Sequence, residues 1–129
     1  MDMTKCFKMI VDKSQSPIVV CTTDLSIVYA NELAEANYKK AKIQYRRAEQ
    51  FTGNRIDMFF DEETMSRIYM AVEWFREDIN NNRLFAFHTD WNNGDMYICA
   101  LRDEDGSLEG FYSVIEVRSP DVSKEFDVD

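Results

Sequence analysis

Two short apolar runs, Ile18-Val19-Val20-Cys21 and Ser26-Ile27-Val28-Tyr29-Ala30, flank the polar triplet Thr22-Thr23-Asp24. Both runs are β-branched or aromatic and of strand length, which predicts a hairpin. Asn31 follows at once, and its side-chain oxygen can accept from a free N–H of a first helical turn. Glu32 beside it suits the positive end of that helix. Ala34, Tyr38, Ala41, Tyr45 and Ala48 then recur at steps of four and three, predicting a helix over 31–49. Upstream, Met3, Phe7, Ile10 and Val11 stand at helical spacing among Lys5, Lys8 and Asp12. That pattern predicts a short amphipathic N-terminal helix with one apolar face.

The second half is punctuated as clearly. Phe51-Thr52-Gly53-Asn54 reads as a turn with Gly53 left-handed. Ile56, Met58, Phe59 and Phe60 supply an apolar anchor, and Asp61 caps a long helix with Glu62 and Glu63 in its first turn. Met65, Ile68, Tyr69, Val72, Phe75 and Ile79 form its expected buried stripe, with Asn80-Asn81-Asn82 closing it in a left-handed conformation. A three-strand meander follows over 83–91, 95–102 and 108–117. Its turns are Asn92-Asn93-Gly94 and Asp103-Glu104-Asp105-Gly106. On the alternation of side chains, Phe85, Phe87 and Trp91 should share one face, with Leu84, Ala86, His88 and Asp90 on the other. The middle strand is apolar on both faces, so the sheet should be at least partly covered on both sides.

Composition narrows the function classes. The chain has 129 residues, enough for one domain with a real core, at 45% hydrophobic and 13% aromatic content. Its net charge of −9 argues against a nucleic-acid binder, which needs a concentrated basic surface. Lys39, Lys40, Lys42, Arg46 and Arg47 form one basic cluster, simplest to read as a solvated face near a helix C-terminus. Cys6, Cys21 and Cys99 form no Cys-x-x-Cys, so neither a zinc site nor a disulfide framework is indicated. No apolar run has membrane-span length and no signal peptide is visible, which makes a cytoplasmic protein the expectation.

The order of elements is helix, two strands, helices, three strands. In that order the chain resembles the PAS domain family of sensory modules. Residues 24–31, Asp-Leu-Ser-Ile-Val-Tyr-Ala-Asn, look like the family's turn, second strand and Asn cap. Gly53 with Ile56 and Phe59-Phe60 looks like its glycine turn and apolar segment. Asp105-Gly106 followed by Gly110-Phe111-Tyr112 looks like its last hairpin. Two departures stand out: a longer, more basic helical block, and Glu116-Val117-Arg118 where an Asp-Ile-Thr-like motif often closes the last strand. The resemblance implies an α+β fold with a five-stranded antiparallel sheet, a helical block on one face and the amphipathic N-terminal helix. The expected divisions are 1–14 for that helix, 15–118 for the PAS-like domain and 119–129 for a flexible acidic tail.

The resemblance implies a non-catalytic module that binds a small apolar ligand, a separate signalling protein or a second copy as a homodimer. The cofactor is unassigned. Relatives that bind flavin covalently use an Asn-Cys-Arg context absent here, and the haem-binding ones take a histidine from the long helix, which has none. Tyr38, Met58, Met65 and Tyr69 would form helical walls of a pocket, with Phe87 and His88 on the sheet. The alternative is a small isomerase or dehydratase in which His88 works with Asp90 or Asp95 as acid and base. A strand histidine bonded within the sheet is the simpler account of His88. One histidine with one carboxylate is too small a set for a metal.

Overall fold

A computed structural model describes residues 1–41, 52–90 and 93–117, with the side chains of 38–41 outside the description. Helix α1 is Met3–Asp12, and strands β1, Ile18–Thr22, and β2, Ile27–Ala30, form the first hairpin. Helix α2, Glu32–Ala41, follows. A 3-10 turn, Ile56–Met58, precedes helix α3, Glu62–Glu77. Strands β3, Arg83–Thr89, β4, Gly94–Arg102, and β5, Leu108–Val117, complete the fold. The five strands form one antiparallel sheet in the order β2-β1-β5-β4-β3. This is the expected α+β architecture. The second part of the helix predicted over 31–49, Trp91 and the tail 119–129 lie outside the described residues, as do Lys42, Arg46 and Arg47.

Local chemistry explains the element ends. Asp61 accepts from Thr64 N at 2.8 Å and caps α3. Gly53 has φ +93° and Gly106 φ +90°, conformations that cost glycine little. Beyond β2 the chain stays paired: Gly53 N donates to Ile27 O, Ile27 N to Asn54 O and Ile56 N to Leu25 O. The open edge of β2 is thereby paired at its first residue.

One face of the sheet carries the core. Ile27, Ile98 and Phe111 from the strands meet Ile68 and Phe75 of α3 and Ile56 of the 3-10 turn, each under 2% exposed. Two expectations about α3 need correction. Its stripe is Met65, Ile68, Ala71, Val72 and Phe75, while Tyr69 and Ile79 stay exposed at 47% and 63%. The helix also ends at Glu77, because Asp78 is already extended at φ −156°, and no left-handed asparagine closes it. Asn81 instead donates its side-chain N–H to Trp74 O at 2.8 Å.

The face assignment within β3 also changes. Phe85 pairs with Tyr97, yet Phe87 pairs with Met96, so Ala86 is an extra residue in a β-bulge. The inserted residue inverts the alternation beyond it. Phe85 faces outward at 52% exposure, and Phe87 packs on the core. His88 pairs with Asp95 on the outer face and no longer shares a face with Leu84. Arg67 of α3 donates to Ala86 O at 2.6 Å and lies 5.8 Å over the Phe87 ring, holding both consequences of the bulge.

Candidate functional site

Asn31 is fully buried and uses its whole amide. Its Oδ1 accepts from Ala34 N and from Ile18 N, both at 3.0 Å. Its Nδ2 donates to Val11 O at 3.0 Å and Ser16 O at 2.8 Å. The first of these bonds is the helix cap read from the sequence. The other three tie the end of α1, the linker and the start of β1 to one side chain. Tyr29 adds a hydrogen bond from its hydroxyl to Asp12, and Lys8 lies 5.9 Å over the Tyr29 ring. Burial, then the Asp12 contact, pushes the Tyr29 hydroxyl up to about 12. Among the described residues these contacts come from the second half of α1. Helix α1 buries none of its residues, and Met3, Phe7 and Ile10 are 58–63% exposed.

The outer sheet face carries a polar cluster at one end. His88 Nδ1 donates to Asp95 Oδ1 at 2.8 Å, and His88 Nε2 lies 3.4 Å from Asp90. The Asp95 side chain is 6% exposed, while that of His88 is 34% exposed. Glu116 stands opposite Asp95 on β5 and pairs with Arg83 at 3.1 Å. Arg83 also lies 3.9 Å over the Tyr97 ring, which meets Phe85 at 5.6 Å. Among the described residues no three histidine, cysteine or carboxylate groups are placed to hold a metal ion.

The residues expected to wall one pocket are divided among three places. Met65 and Tyr69 line an open groove of about 400 Å3 with Asp57, Phe60, Glu62 and Ser66. Met58 and Phe87 pack against the core. His88 is on the outer sheet face, and the Tyr38 side chain lies outside the described residues. Cys21 sits within the core, where burial pushes its thiol up to about 12. Two residues that shape this region were not anticipated, Arg67 and Arg102. Their partners lie 19 and up to 27 positions away, so no local spacing marks them.

Comparison with solved structures places the fold. The PAS domain of a protein from Colwellia psychrerythraea matches with a TM-score of 0.63 at 17% identity, covering 90% of this chain and 97% of that one. A sensory box sensor histidine kinase from Vibrio cholerae matches with a TM-score of 0.58 at 15% identity, covering 89% and 91%. The PAS domain of the histidine kinase ThkA matches with a TM-score of 0.55 at 19% identity, covering 79% and 99%. The chain has the PAS fold. No family model and no curated protein matches it. No helix among the described residues is long and apolar enough to cross a membrane.

Proposed function

We propose that this chain is a non-catalytic sensory and interaction module of signal transduction, with α1 as its communicating element. The fold likeness to PAS domains of sensor kinases supports the class. The observation that carries the reading is the attachment of α1, bonded at Val11 and Asp12 while Met3, Phe7 and Ile10 face outward. An apolar helix face of this kind marks a surface for a partner to cover, and a second copy of the chain is the simplest one. Signal would pass as a shift between two dockings of α1, driven by whatever binds one docking better. The space between α3 and the sheet is filled by Ile68, Phe75, Ile98 and Phe111, which favours a protein partner over a small molecule held there. An acid–base enzyme is less well supported, because His88 faces away from the groove that Met65 and Tyr69 line.

The test is removal of residues 1–13, read by native mass spectrometry and thermal unfolding beside the full chain. The expected result is a dimer that becomes a folded monomer. An unchanged oligomeric state with unchanged stability sinks the role of α1. Extra mass on the native full chain that is lost on denaturation would instead assign the module to a small ligand.

A further inference from the structure

The solvent side of α3 is shaped for an occupant that α1 does not supply. Glu62, Ser66, Tyr69 and Glu73 follow one another at steps of four, three and four, so they form one stripe along the helix. Met70 flanks that stripe and is 62% exposed, and Tyr69 is 47% exposed. Beside them lies the open groove, lined by Phe60, Met65 and Tyr69 together with Asp57, Glu62 and Ser66. The exposed side of α3 also carries Glu63, Glu73 and Glu77. Its two arginines are engaged at home, Arg67 with Glu63 at 3.3 Å and Arg76 with Glu73 at 3.8 Å. Asp57 is paired with Arg55 at 3.3 Å, whereas Glu62 has no ion pair among the described residues. Aromatic and methionine side chains at the centre with carboxylates around them are complementary to an apolar anchor flanked by cations. The groove is open rather than enclosed, so it suits a side chain presented by a larger surface more than a free small molecule.

We propose that this α3 face docks a basic amphipathic helix of a partner protein. One apolar side chain of the partner enters the groove, and a lysine or arginine beside it meets Glu62. The proposal extends the interaction reading above but does not depend on α1.

The probe is a fluorescent helical peptide of about 18 residues built from leucine and lysine on opposite faces, with a leucine–glutamate peptide of the same length as control. Affinity is read by anisotropy and the site by amide chemical shifts on the full chain. The expected result is lysine-peptide binding that shifts amides of Asp57, Phe60, Glu62, Ser66 and Tyr69. Tyr69→Ser and Glu62→Lys should each weaken it about tenfold. Glu104→Lys, in the hairpin turn at the far end of α3, should change it less than about twofold, which separates docking from the general attraction of a −9 chain. Shifts at Met3, Phe7 and Ile10 instead would overturn the proposal while leaving the α1 reading standing. Equal binding of the acidic peptide, equal weakening by Glu104→Lys, or no binding would also overturn it.

Discussion

Asn31 donates its side-chain N–H to the carbonyl of Val11, twenty positions earlier, at 3.0 Å. The same residue caps α2 through Ala34 N. One buried amide therefore couples the exit of the N-terminal helix to the start of the helical block. Asn31→Ala leaves Ile18 N–H and the carbonyls of Val11 and Ser16 without this partner. The expected cost is about 3 kcal/mol, a fall of roughly 10 °C in Tm. Asn31→Asp keeps the acceptor and loses both donors, so it should keep α2 but loosen α1. Limited proteolysis within residues 1–16 would then speed up more than global unfolding. Protection of α1 in Asn31→Asp equal to that in the parent would show that the anchor lies elsewhere.

Arg102 closes the C-terminal end of α3 from the sheet. Its Nη2 donates to Phe75 O at 2.6 Å, Asn81 O at 3.0 Å and Asp78 O at 3.1 Å. Its Nη1 reaches Gly106 O at 3.0 Å, and its Nε reaches Asn82 Oδ1 at 2.7 Å. A planar fork of five donors suits this set of carbonyls, and a lysine ammonium cannot span it. Arg102→Ala should cost about 3 kcal/mol, and Arg102→Lys should recover less than half of that. Urea unfolding of the three proteins measures it; a lysine variant as stable as the parent would contradict the fork geometry.

Gly110 is required by approach rather than by backbone conformation. A Cβ there would lie 2.2 Å from the carbonyl oxygen of Cys21, in the strand paired alongside. Because the obstacle is backbone, β1 and β5 would have to separate. Gly110→Ala is expected to destabilise by at least about 3 kcal/mol, seen as a sharp loss of soluble protein or of denaturation midpoint. Gly53→Ala is the comparison: its φ of +93° is strained for alanine, but nothing stands within 4 Å. It should fold, at a cost of about 1 kcal/mol.

Burial raises the Cys21 thiol from 9.0 to about 12, and burial with the Asp12 contact raises the Tyr29 hydroxyl from 10.0 to about 12. Both are acids whose folded value lies above the unfolded one. The unfolded chain therefore loses protons first as pH climbs. The stability concerned is fully present below about pH 9 and is lost as pH rises toward about 12. Denaturation midpoints should be flat from about pH 7 to 8.5 and fall steeply above. Cys21→Ala should flatten that fall while lowering the plateau. At about pH 8 a thiol reagent should label the partly exposed Cys6 well before Cys21. Rapid labelling of Cys21 in the folded protein would refute its place in the core.

The amino-acid sequence by itself determined the order and kind of the elements. The β-branched runs, the Asn31 and Asp61 caps, Gly53 and the Asp105-Gly106 turn act within a few residues, so their physics is readable from spacing. The PAS fold was legible in that order even though no single motif carries it. What each side chain faces was decided by pairing between strands. One inserted residue, Ala86, turns Phe87 inward and places His88 against Asp95, and nothing local announces a bulge stabilised by Arg67 nineteen positions away. The helical period alone also admits Tyr69 and Ile79 to the buried stripe of α3, but packing on the sheet leaves Tyr69 in solvent and Ile79 lies beyond the helix end at Glu77. For that reason the residues expected to wall one pocket are dispersed between a surface groove, the core and the outer face. Which faces remain open to partners was settled by tertiary packing, because burial depends on contacts made across the whole fold.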